Sequence, residues 1–116
     1  MATLLDWDRA LENADGSEEL LIELAGLFIE ECPEMMRQVR AAIDADDAPA
    51  LQRAAHSLKG SARIFATAPA SEAARRLEMI GAAGDLSGAE DGWTALSGEI
   101  DRLTAALADK ISQQPG

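Results

Sequence analysis

His56 is the only histidine of this chain, and it stands in "RAAHSLKGSARIF" (Arg53 to Phe65) with Arg53, Lys59 and Arg63. Those three are drawn from only ten basic residues in a chain of formal charge −11. A neutral imidazole is a good nucleophile near neutral pH. Neighbouring cations oppose a further positive charge on the ring and so keep it neutral. They also attract a phosphoryl group and stabilise its oxygens once it has been transferred. This set of residues therefore suits accepting phosphate better than acid–base work. No Ser-His-Asp arrangement can be read around His56, and no carboxylate lies near it in sequence to orient the ring.

A surface histidine by itself implies no function, but three details set this one apart. Arg53, Lys59 and Arg63 face no acidic residue within their own segment. Between Arg53 and Arg76 there are five basic residues and one acidic, Glu72, against a strongly acidic background. Gly60 sits beside the histidine in mid-helix, where it costs about 1 kcal/mol relative to Ala. A bare backbone there leaves room for another molecule to approach His56.

These residues need a helix to position them. At about 100° per residue, Leu51, Ala55, Leu58, Ala62 and Phe65 form one apolar stripe, the core face. His56 points away from it and shares its side with Gln52, Lys59, Gly60 and Arg63, since residues three and four apart are neighbours. This helix starts at Asp47, a natural N-cap, with Pro49 in its first turn, and is predicted to reach about Ala66. Before it, Ser17 caps a run from Glu18 to about Asp44, with Pro33 predicted to kink it. That run presents Leu21, Ala25, Phe28, Cys32, Met35 and Val39 as its core face, with Leu20, Leu24 and Leu27 on the flank. After "TAP" (Thr67 to Pro69) a short helix is predicted to about Ile80, followed by a "GAAGD" loop from Gly81 to Asp85. A last helix is predicted from about Ser87 to Ile111, with residues 112–116 a frayed tail. A short helix near Asp6 to Ala14 opens the chain.

The expected fold is all-α, an antiparallel up-down-up-down four-helix bundle with a short extra N-terminal helix, because short loops make consecutive helices antiparallel neighbours. One domain of 116 residues is expected, with its core over about residues 6–111. The composition agrees: it is 47% hydrophobic, mostly Ala and Leu, with no Tyr and no β-branched runs.

Charge and composition narrow the function classes. An acidic chain is unsuited to nucleic acid or an anionic membrane surface. No segment approaches the ~18 apolar residues of a transmembrane span. The acidic N-terminus lacks the basic region of a secretory signal, so a cytoplasmic location is expected. Cys32 alone cannot form an intramolecular disulfide, and one Cys with one His supplies too few ligands for zinc. There is no Gly-rich phosphate loop, and "GAAGD" leads into no lysine. The phosphoryl donor must therefore come from elsewhere, and no cofactor of the chain's own is expected.

"AAHSLKGSA" (Ala54 to Ala62) resembles the H-x-L-K-G signature of histidine-containing phosphotransfer domains. "DWDRAL", "LFIEECPEMMRQVRAAI" and "RRLEMIGAAGDL" resemble the rest of that family's pattern, so the likeness covers nearly the whole chain. The resemblance implies a four-helix bundle whose histidine carries a phosphoryl group between receiver-domain aspartates of a multistep phosphorelay. It makes His56 the phosphorylated residue, Lys59 a contact to the phosphoryl oxygens and Gly60 the space for the receiver's loops. Mg²⁺ is then expected in the receiver's acidic pocket, and the partners are receiver domains and a sensor histidine kinase, with the chain itself a monomer. Relatives dock receivers through an apolar patch beside the histidine. Leu20 and Leu24 match that patch, and Ser57 and Gly60 are expected across from them. Departures are Ala66 for a frequent Gly, Ala70 for a frequent Leu, and Glu78 where some members place a Gln facing the histidine. Arg63 is read as a second cation. Two other functions fit the same residues: the phospho-accepting domain of a chemotaxis-type kinase, and an adaptor that binds receivers without carrying phosphate. The opening Met1 and the absence of a long linker suit a free-standing protein or an excised C-terminal domain.

Overall fold

The computed structural model describes residues 6–65 and 68–113, which form five helices and no strand: α1 (Trp7–Asn13), α2 (Glu18–Asp44), α3 (Ala48–Arg63), α4 (Ala68–Ala83) and α5 (Ala89–Ser112). Three N-termini are capped as short polar side chains should cap them. Asp6 accepts from Arg9 N, Ser17 Oγ from Leu20 N and Asp47 from Ala50 N, each at 3.1 Å. The turns before α2 and α3 pass through left-handed backbone at Asp15, Gly16 and Asp46. Pro33 lies inside α2, which runs on both sides of it as one helix.

The four long helices form a ring. α2 and α4 each pack against α3 and α5, and the backbones of the diagonal pairs stay apart. The stripe expected of α3 is the one it buries: Leu51, Ala55, Leu58, Ala62 and Phe65 are all inaccessible to solvent or nearly so. Leu21, Ala25, Phe28, Cys32 and Val39 of α2 are buried opposite, whereas Met35 is only half-buried. Phe28 and Phe65 meet edge to face at 5.5 Å between centroids and join α2 to the end of α3. Asn13 of α1 donates to the Ile64 carbonyl at 3.1 Å, satisfying a group that the end of α3 leaves open. At the far end of α2, Arg40 bonds Asp44 and Glu90 and lies over the Trp93 ring, stapling α2 to α5.

Three boundaries differ from the sequence prediction. α3 ends at Arg63, with Ile64 as its C-cap; Ala66 lies outside the described residues. α5 begins at Ala89 rather than Ser87, because Ser87 N instead donates to the Asp85 carboxylate at 3.0 Å and holds a turn. α4 does not stop at Ile80 but runs through Gly81 to Ala83. Gly81 is a packing glycine: a Cβ there would sit 2.6 Å from Gln52 N and 2.8 Å from Ala48 O, so its absence lets α3 and α4 come together. The turn belongs to Gly84, at φ +79°. Of the predicted tail, Ser112 is helical and Gln113 is the C-cap of α5, and residues 114–116 lie outside the described residues.

Candidate functional site

The close approach of α3 and α4 builds the site. The α4 residues Ala70, Ala74, Leu77 and Gly81 face the core, which leaves Glu78 on the flank turned toward α3. Its carboxylate bridges two α3 side chains one turn apart. Oε2 lies 2.6 Å from His56 Nδ1 and Oε1 accepts from Lys59 Nζ at 2.7 Å. The His56 side chain is 67% exposed, while Lys59 and Glu78 are mostly covered, at 18% and 17%. The ring therefore stands on the surface with its inner edge tied to a partly buried ion pair.

The electrostatics around the ring differ from those expected. The sequence near His56 offers no carboxylate, and the family resemblance names Glu78 only as a departure, at a position where some members place a Gln facing the histidine. The structure places Glu78, 22 residues away in sequence, in direct contact with His56 and Lys59. The hydrogen bond from Lys59 holds the Glu78 carboxyl below its usual range; burial opposes this and is outweighed, and the His56 bond adds to it. An ionised Glu78 can only accept, so the hydrogen on the short His56 contact is carried by Nδ1. In the neutral ring the lone pair then belongs to Nε2, on the exposed side.

The other expected residues fall into place unevenly. Arg53 and Arg63 are exposed and form no ion pair among the described residues. Gly60 is exposed, and a Cβ there would meet nothing within 4 Å, so the bundle's own packing does not require glycine. Leu20 is 41% exposed, whereas Leu24 is half-buried against the core. Ser57 and Gly60 were expected across from Leu20 and Leu24, but Leu24 and Ser57 line different grooves. Leu24 instead lines a groove of about 150 Å³ with Leu27, Phe28, Met35, Ser61 and Ile64. Ser57 lines a separate groove of about 440 Å³ with Gln38, Ala41, Arg53 and Ala54. The antiparallel register of α2 on α3 sets Leu24 against the C-terminal end of α3, about a turn past Gly60. Leu27, on the same flank of α2, is half exposed at 50%.

No group of three or more His, Cys, Asp or Glu among the described residues is placed to hold a metal ion. No described helix is long and apolar enough to cross a membrane.

The fold has counterparts among known proteins. The chain superimposes on a crystal structure of histidine-containing phosphotransfer protein B from Pseudomonas aeruginosa PAO1 with a TM-score of 0.89 and 25% identity, covering 99% of this chain and 100% of that one. It superimposes on the HPT domain of a sensor hybrid histidine kinase from Shewanella with a TM-score of 0.85 and 18% identity over 97% of each chain, a likeness of fold. No curated protein sequence matches. The family model for the Hpt domain matches residues 23–106, from early α2 to late α5, and with most of the chain so matched, it belongs to the Hpt domain family.

Proposed function

We propose that this Hpt domain carries its phosphoryl group on Nε2 of His56. The family makes the chain a phosphocarrier of two-component phosphorelays, and Hpt domains exchange phosphate with receiver domains and hybrid histidine kinases. The observation that supports the atom is the 2.6 Å contact between His56 Nδ1 and Glu78. It occupies one ring nitrogen and leaves the other exposed as the nucleophile.

The transfer balances without moving a proton on this chain. The Nε2 lone pair attacks the phosphorus of a receiver's aspartyl phosphate. The N–P bond forms, the P–O bond breaks, and the aspartate leaves as a carboxylate. The Nδ1 proton stays in its bond to Glu78 throughout. In the reverse direction the leaving group is therefore a neutral imidazole, a good one. Lys59 has three N–H donors and gives one to Glu78; the others can reach a phosphoryl oxygen, and Arg63 is a second cation for it. The open space at Gly60 admits the receiver's loops, which bring the acidic pocket and its Mg²⁺. The α2–α3 side, with Leu20, Leu24 and Leu27, docks the receiver. The chain needs no nucleotide site of its own, and it works as a monomer in the cytoplasm, where the kinase holds its ATP.

The test is transfer from a phosphorylated receiver to the wild-type chain and to His56→Gln. Label on the wild type is expected to be acid-labile and alkali-stable, as a phosphoramidate is, and absent from the variant. Label that persists in His56→Gln would sink the assignment. The exposed position of His56 predicts a stability change within about 0.5–1 kcal/mol for the same variant, by chemical denaturation.

A further inference from the structure

On the side of the bundle away from His56, α2 and α5 flank an open groove of about 540 Å³ lined by Ile29, Cys32, Met36, Trp93, Ile100 and Asp101. The helix ring places the α2–α5 edge opposite the α3–α4 edge, where His56 meets Glu78. The groove's floor is apolar: Cys32 and Ile100 are buried, and Ile29, Met36 and Trp93 half-buried. Its rim is acidic. The exposed Asp101 carboxylate stands close enough to Cys32 to add to burial in pushing that thiol up to about 11. Pro33 also lines the groove and has no N–H to give the Ile29 carbonyl, so the backbone offers a further acceptor there.

The charge of the molecule is divided along the same line. α2 carries seven carboxylates against two arginines, and α5 five against Arg102 and Lys110, so these helices hold a formal −8. α3 and α4 together hold five basic residues against Glu72 and Glu78, a formal +3. The arginines of the acidic half are already engaged: Arg37 by Glu34, Arg40 by Asp44 and Glu90, and Arg102 by Glu99. The surface that complements this groove is an apolar ridge flanked by cations. A second copy of the chain applied through the same face would set two acidic surfaces against each other.

We propose that the α2–α5 groove docks a basic amphipathic helix of a partner protein. Its apolar side chains lie on Ile29, Met36 and Trp93, and its Lys or Arg residues bond the Asp101 rim. Ile29 and Met36 are two helical turns apart, which matches anchors at i, i+3 or i+4 and i+7 of the incoming helix. Because the groove is opposite His56, this partner can stay bound while a receiver occupies the other face. The docking does not depend on which chemistry His56 performs.

The probe is a designed Leu–Lys amphipathic helical peptide of about 18 residues, with a Leu–Glu peptide of the same pattern as control. The full chain is used, in a Trp7→Phe background so that Trp93 alone reports by fluorescence, and amide shifts of the ¹⁵N-labelled chain locate the contact. The Leu–Lys peptide is expected to bind and to shift amides of α2 and α5 around the groove. Asp101→Lys should weaken it by roughly tenfold and Met36→Ala by roughly fivefold. Glu12→Lys makes the same change of net charge on α1 and should weaken it by less than about threefold. An equal loss in Glu12→Lys overturns the proposal, since diffuse charge would then explain the binding. Shifts confined to α3 and α4, or equal binding of the Leu–Glu peptide, overturn it too. So does sedimentation of the free chain as a dimer that Asp101→Lys dissociates, because the occupant would then be a second copy.

Discussion

Glu78 Oε2 lies 2.6 Å from His56 Nδ1, although 22 residues and a helix–helix connection separate the two in the chain. The same carboxylate holds Lys59 at 2.7 Å. One α4 residue thus fixes both the ring proposed to carry phosphate and the cation proposed to steady it. Each is held by a charge-assisted hydrogen bond, the stronger kind.

Removing that carboxylate should slow transfer. Glu78→Ala loses both bonds, and single-turnover transfer from a phosphorylated receiver is expected to fall by roughly tenfold, the scale of a lost orientation. Glu78→Gln keeps an acceptor for Nδ1–H and should lose less. Lys59→Ala should also slow transfer more than it weakens receiver docking. The double variant Lys59→Ala/Glu78→Ala should be less impaired than the product of the two single effects, because the residues form one unit. A wild-type rate in Glu78→Ala would remove it from the mechanism.

The same ion pair has a pH signature. Lys59 holds the Glu78 carboxyl below its ordinary 4.5 in the folded protein. A group depressed on folding contributes stability that is complete above its unfolded value and is lost as pH falls through its folded value. Denaturant melts from about pH 6 to about pH 3 should therefore show a smaller acid loss for Glu78→Gln than for the wild type. The difference is expected to be on the order of 1 kcal/mol, since the pair is covered but not sealed from water. Identical acid limbs would mean that the pair contributes nothing to stability.

Gly81 should tolerate no side chain. A Cβ would lie 2.6 Å from Gln52 N and 2.8 Å from Ala48 O, both rigid backbone. Gly81→Ala should cost about 1–3 kcal/mol, the range of overpacked cores. By pushing α4 from α3 it should also disturb the His56–Glu78 contact and slow phosphotransfer. Unchanged stability and rate together would show that the helices meet differently.

The apolar flank of α2 should divide into docking and core. Leu27 and Leu20 are about half exposed, so their Ala variants should melt within about 1 kcal/mol of the wild type. They should weaken receiver binding by roughly 1 kcal/mol or more, as interface anchors do. Leu24, packed against the core, should cost stability and affinity together, with the stability loss approaching the ~2 kcal/mol lower end for a buried leucine. Titrations and thermal melts separate the cases. Full receiver affinity in Leu20→Ala and Leu27→Ala would place the docking face elsewhere.

Much of this protein was determined by its local sequence. Caps at Ser17 and Asp47, the 3.6-residue apolar stripes and the short polar connections are properties of neighbouring residues, and they suffice for five helices, a bundle and an outward His56. The tertiary structure alone decided the rest. Gly81 reads as a helix stop because local propensity cannot register a neighbouring backbone at contact distance. The Leu24 groove depends on the register of α2 against α3, and one turn of slide exchanges Gly60 for Ile64 without altering either helix's pattern. Glu78 is a flank residue by the pattern of α4, and only the family resemblance sets its position facing the histidine, without saying what its carboxylate bonds. It becomes the partner of His56 and Lys59 only because a glycine lets two helices approach until a carboxylate on one spans two side chains on the other.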